Sequence, residues 1–167
     1  MITEEIIRDL LLESIRSVAN EYPPLKFDSI GERALCFRLG LHLARLLPRE
    51  IILDSEYNYD LSNADPKKVP NLGKLADLAR TLQMTDVESR LVTPDFILHA
   101  RTAGNDENVA VIEVKRADAS ETESEYAKEK VKAIQREFGY RIGVLLTLSR
   151  SVESFADNCE VQFAPFT

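Results

Sequence analysis

The segment with the most chemical content is Val109-Ala110-Val111-Ile112-Glu113-Val114-Lys115, which follows an earlier Pro94-Asp95-Phe96-Ile97-Leu98. On a β-strand, alternation sends Glu113 and Lys115 to the same face, so an acid and a base stand side by side. Their apolar neighbours predict a largely buried strand, where an unpaired carboxylate or ammonium is costly and must be compensated. Between the two segments, Thr102-Ala103-Gly104-Asn105-Asp106-Glu107 has turn composition, which predicts an antiparallel hairpin. A turn about Gly104 sets Asp95 opposite Glu113, with Cβ atoms about 5 Å apart. Carboxylates that close disfavour joint ionisation unless a cation lies between them, and hard oxygen donors suit Mg²⁺ or Mn²⁺. The geometry depends on register, because a slip of one residue turns one carboxylate to the other face.

A third carboxylate, Glu32, admits two readings. Ser29-Ile30-Gly31-Glu32 has the form of a capping box, in which Glu32 reaches back to the Ser29 N–H at the start of a helix running to about Leu47. At about 100° per residue, however, Glu32 falls among Cys36, Leu39, Leu43 and Leu47, facing the core or a cleft, from which it can reach a site built on the sheet.

Pro94-Asp95 and Glu113-Val114-Lys115 resemble the two halves of the motif of the PD-(D/E)xK nuclease superfamily. The resemblance extends over most of the chain as an order of elements: a helix carrying Glu32, a strand near Ile51 to Tyr59, the hairpin, a helix, and a strand from Tyr140. It implies a restriction-endonuclease-like α/β core: a mixed sheet of four to five strands flanked by helices, with an extra N-terminal helix. It further implies that Asp95 and Glu113 bind Mg²⁺ or Mn²⁺, helped by the Val114 carbonyl, with Glu32 as an accessory carboxylate. Lys115 then positions or activates the attacking water and offsets developing charge. The implied activity is metal-assisted hydrolysis of phosphodiester bonds in nucleic acid, DNA before RNA, and dimers are common among small nucleases of this kind. The alternative is a catalytically inactive module of the same fold that binds nucleic acid or a protein partner.

Further candidates are weaker in pattern. Glu56 ends a strand beside an irregular loop, where sites often lie, although a solvated strand-end carboxylate is the commoner case. Arg116, Lys132 and Gln135 are candidate nucleic-acid contacts, on a background in which Glu121, Glu123, Glu125, Glu129 and Glu137 dilute the positive charge. Arg38, His42, Arg45 and Arg49 form a polar stripe on the Glu32 helix. His42 and His99 pair with no evident nucleophile, and the glycines form neither a P-loop nor a dinucleotide fingerprint.

The elements that must position these groups follow from periodicity. Apolar residues at helical spacing predict a first helix over Thr3 to Asn20, whose Ile6, Leu10, Leu11 and Ile15 offer a dimer interface. A polar loop is expected from Asp60 to Pro70, a short helix from Leu72 to Leu82, and an amphipathic helix from Glu121 to Phe138 stopped by Gly139. A buried strand follows from Tyr140 to Leu148, and Cys159 to Phe163 adds an edge strand. The 167 residues suit one domain over 1–167, with 44% hydrophobic content for its core. A net charge of −7 argues against a protein that coats nucleic acid with its whole surface. Cys36 and Cys159 lack disulfide or zinc spacing, and no apolar run approaches the roughly 20 residues of a membrane span. A cytoplasmic protein is the expectation.

Overall fold

Thr3 caps the first helix, its hydroxyl accepting the Ile6 N–H at 3.4 Å, and α1 (Glu4–Glu21) buries Ile7, Leu11, Ile15 and Val18 along one stripe. The computed structural model describes residues 1–22, 30–55, 59–60, 65–66, 73–83, 92–102, 105–149 and 158–166. The α1 stripe packs on Leu35, Leu39 and Leu43 of α2 (Glu32–Leu46) in the same core. Leu11 and Ile15 are fully buried within the chain, so they do not form the intermolecular face expected of them. Two members of the polar stripe on α2 are also internal ties: His42 lies 3.0 Å and Arg38 3.8 Å from Glu21 at the end of α1.

Two further expectations change. The N-cap of α2 is Gly31, so Glu32 is the first helical residue rather than the third, as a box begun at Ser29 requires. Ser29 itself lies outside the described residues. The stretch expected as a plain loop carries β2 (Tyr59–Asp60) and β3 (Asp65–Pro66), paired antiparallel as a separate two-stranded sheet. Backbone pairing over two residues needs no apolar periodicity, so the pattern gave no sign of it.

The main sheet has the order β1-β4-β5-β6-β7, formed by β1 (Ile51–Ser55), β4 (Phe96–Thr102), β5 (Asn105–Arg116), β6 (Ile142–Leu148) and β7 (Glu160–Phe163). The β5–β6 pair is parallel and the others antiparallel, so the sheet is mixed. A parallel neighbour requires a crossover, which α4 (Glu121–Phe138) supplies. Ser120 and Glu123 close a reciprocal capping box at its start, and Gly139, at φ 68°, ends it in the left-handed region open to glycine. The remaining helix, α3 (Lys74–Thr81), packs beside α4.

Strand alternation divides the core. Phe96, Leu98, Ile112, Val114, Val144 and Leu146 face α1 and α2, whereas Ile97 and Val111 face Leu75 of α3 and Tyr126, Val131 and Ile134 of α4. The described residues form an α/β fold, a five-stranded mixed sheet flanked by four helices. Among the described residues no helix is long and apolar enough to cross a membrane.

Candidate active site at the carboxyl end of the central strand

Register decides where the paired carboxylates lie. β4 and β5 pair Phe96 with Ile112 and Ile97 with Val111, so Asp95, one residue before β4, flanks Glu113. Nearer the turn the pairing runs from Thr102 with Asn105 to His99 with Asn108, a register that would carry Asp95 onto Ile112; the irregularity between Leu98 and His99 shifts it by one residue and so brings Asp95 to Glu113. Gly104 is outside the described residues. The Asp95 Oδ2 accepts the Val114 N–H at 2.7 Å, which fixes the carboxylate at the mouth of the central strand.

Glu113 is 2% exposed. Its Oε1 accepts a hydrogen bond from Lys130 Nζ at 2.7 Å and lies 3.6 Å from Lys115 Nζ. Its Oε2 is buried and accepts no hydrogen bond from any described residue. Burial pushes the Glu113 carboxyl above the usual carboxylate range; Lys130 and Lys115 pull it back down, and Asp95 pushes it further up. A buried carboxylate oxygen without a donor is the kind of atom that a cation or substrate group satisfies.

Lys115 Nζ lies 3.0 Å from the Val114 carbonyl and 3.3 Å from Glu32 Oε1. Burial works against its charge, but Glu113, Glu32 and Asp95 outweigh that effect and hold the ammonium above the ordinary lysine range. Glu32 thus takes the sheet-directed option of its two readings. It starts α2 beneath the strand end, and its carboxylate closes a cluster drawn from positions 32, 95, 113, 115 and 130. Cys36, one turn along α2, is held as a neutral thiol: burial first, then Asp95 and Glu32, push its pKa up. That argues against a thiolate nucleophile.

Lys130 escaped the sequence pattern. The missed signal is its place on α4: it stands four residues after Tyr126, three after Ala127 and four before Ile134, all buried, so it belongs to the inward arc. A lysine on that arc needs a buried carboxylate, and Glu113 is the one it meets.

The expected nucleic-acid contacts fall elsewhere. Arg116 donates to the Ile30 carbonyl at 2.9 Å, lies 3.8 Å from Asp118, and is largely buried, tying the end of β5 to the segment before α2. Lys132 pairs with Glu129 at 3.1 Å on the surface of α4. Gln135 donates to the Arg141 carbonyl at 3.2 Å. Arg141 precedes β6, whose Ile142 pairs with Ala110, so Gln135 sits at the opposite end of the strands from Lys115, which pairs with Thr147. Five residues of strand separate those levels by roughly 16 Å. Glu56 lies outside the described residues.

The oxygens of Asp95, Glu113, Glu32 and the Val114 carbonyl form a donor set suited to a hard divalent cation, and the orphaned Glu113 Oε2 fits that chemistry. As the side chains stand, no three acidic, histidine or cysteine groups among the described residues converge closely enough to hold an ion. The reason is visible in the contacts: the Lys115 ammonium sits among these oxygens, and Asp95 is turned to the Val114 amide.

Beside this cluster a cleft of about 450 Å³ opens between α2 and the first strands, lined by Glu32, Arg33, Phe37, Leu53 and Asp95 among others. Gly40 lets α2 approach closely there, since a Cβ on it would lie 2.8 Å from the Phe96 ring. The sequence matches no known protein family, and neither a curated protein nor a solved structure matches it.

Proposed function

We propose that the chain is a divalent-metal-dependent nuclease of the PD-(D/E)xK type, with a restriction-endonuclease-like core, hydrolysing phosphodiester bonds of nucleic acid, DNA in the first instance. The observation that carries this reading is the buried Glu113. Its Oε2 meets no donor among the described residues, its Oε1 lies 3.6 Å from Lys115 Nζ, and Asp95 and Glu32 reach the same strand end from separate elements.

Asp95, Glu113 and the Val114 carbonyl would hold Mg²⁺ or Mn²⁺, with Glu32 in support. A cation so held supplies Lewis acidity, lowering the pKa of water and offsetting charge on the phosphoryl oxygens. Water adds to phosphorus and gives up a proton to solvent, the bond to one ester oxygen breaks, and that oxygen leaves with a proton taken from solvent. Lys115 acts as a cation and hydrogen-bond donor: its three carboxylate neighbours keep it protonated, which unsuits it to remove a proton from water. Lys130 favours the ionised form of Glu113 against the effect of burial and aims its carboxylate.

Calorimetric titration of Mn²⁺ into the protein, with and without a short DNA, tests the reading without requiring the right substrate. Binding to the wild type that is lost in Asp95→Asn/Glu113→Gln supports it, and cleavage of single-stranded, duplex or branched DNA completes it. Failure of the wild type to bind Mn²⁺ under both conditions refutes it in favour of an inactive nucleic-acid or protein-binding module.

A further inference from the structure

The cleft and the carboxylate cluster share Glu32 and Asp95 as walls, so whatever reaches Asp95 along this side lies against α2. On α2 the outward row at i, i+4, i+8 is Arg33, Phe37 and Leu41, all lining the cleft. Phe37 is 65% exposed and stands outside both core clusters of the described residues, and Leu41 extends the same apolar wall. Arg33 is exposed and forms no salt bridge with a described residue. An aromatic face beside an exposed guanidinium, leading into a phosphodiester-cleaving centre, matches a base joined to its phosphate. Single-stranded nucleic acid is held in this way, with bases stacked on aromatic rings and the backbone tracked by cations. The cleft volume lies within the range of small-ligand pockets and accommodates one planar base.

We propose that this cleft receives an unpaired base of the strand to be cut, stacked on Phe37 against Leu41 with Arg33 on its phosphate, so that the substrate is single-stranded or frayed nucleic acid. The inference rests on the nuclease reading of the adjoining carboxylates. A base within a duplex is stacked on both faces and must leave the helix before it can lie on the ring, which makes unpaired strands the favoured substrate.

The chain contains no tryptophan, so Phe37→Trp installs a lone fluorophore at the stacking position. Octathymidylate is titrated into that variant in EDTA, alongside an abasic octamer of equal charge, and binding to wild type and Phe37→Ala is followed by anisotropy of labelled octamers. The expected results are tryptophan quenching by octathymidylate but not by the abasic strand, and octathymidylate binding weakened about 5- to 100-fold by Phe37→Ala. Circular dichroism of both variants should match the wild type, because Phe37 lies outside the core. The inference is overturned if both octamers quench equally, if Phe37→Ala binds as the wild type does, or if no octamer binds. It is also overturned if sedimentation shows a dimer that Phe37→Ala dissociates, which would give the face to a second copy. Stacking without Mn²⁺-dependent cleavage sinks the nuclease reading and keeps the cleft; cleavage with an unchanged KM in Phe37→Ala does the reverse.

Discussion

Replacing Lys130 by methionine removes the ammonium 2.7 Å from Glu113 Oε1 while preserving most of the side chain's apolar stem. Both groups are buried, with side-chain exposures of 11% and 3%, so the substitution strands a carboxylate where water cannot reach it. Deleting one partner of a buried ion pair costs about 3–5 kcal/mol. Lys115 remains 3.6 Å from the same oxygen, which places the expected loss at the lower end of that range. At about 3 kcal/mol, the melting temperature of a chain this long falls by roughly 6–12 °C. Substituting both partners, Lys130→Met with Glu113→Gln, removes the buried charge and should recover more than half of the loss, because a buried pair contributes little over a neutral replacement. The deficit also depends on pH. Burial already holds the Glu113 carboxyl above its ordinary value of 4.5, and loss of Lys130 raises it further. A carboxyl whose pKa is raised on folding lends stability in acid and loses it as pH rises through the folded value, so the deficit should be smallest in acid and grow as pH rises through the raised wild-type value. Urea unfolding of the four proteins of the cycle at several pH values, with m-values compared, measures each quantity. A Lys130→Met variant within 0.5 kcal/mol of wild type, or a double variant as unstable as the two singles summed, would refute the argument.

If the nuclease reading holds, Lys115→Ala should reduce single-turnover cleavage by about 100-fold or more while Mn²⁺ still binds, because the lysine supplies charge rather than a ligand. Asp95→Asn should lose both, since its amide can still accept the Val114 N–H and keep the fold but cannot supply the negative charge. Gly40→Ala forces a methyl to within 2.8 Å of the buried Phe96 ring; overpacking of about 1–3 kcal/mol, partly offset by alanine's better helix propensity, should leave a net loss of about 1 kcal/mol in thermal unfolding. Burial pushes the Cys159 thiol up to about 11, so its alkylation by iodoacetamide at pH 8 should run about 100-fold slower than that of the unfolded chain. Equal rates in native and denatured protein, read by mass spectrometry of the two cysteine peptides, would show that Cys159 is not sheltered as described.

Much of the architecture is legible along the chain because it depends on local period. The stripes of α1 and α4 repeat at helical spacing, and Thr3, Ser120 and Gly139 mark their ends through short-range hydrogen bonds and backbone freedom. The β4–β5 hairpin is legible from its turn composition, but its register is not: the one-residue irregularity between Leu98 and His99 that sets Asp95 beside Glu113 leaves no mark in the pattern. The pairs within β2 and β3 were hidden, since two-residue strands leave no alternation to read.

The sequence by itself determined the types of the main elements and the face shared by Glu113 and Lys115, both of which follow from periodicity, whereas the match of Asp95 to Glu113 also needed the irregularity within the hairpin. Only the tertiary structure decided which distant groups meet them. Glu32 approaches Lys115 across 83 positions, a pairing set by how α2 lies on the sheet. Lys130 meets Glu113 because the α4 crossover brings its inward arc down on β5, and Arg116 turns away to the Ile30 carbonyl because that acceptor is nearby in space. The alternating faces of the strands confine these charges to the sheet end, where each one's cost of burial is met by a partner that no local pattern could name.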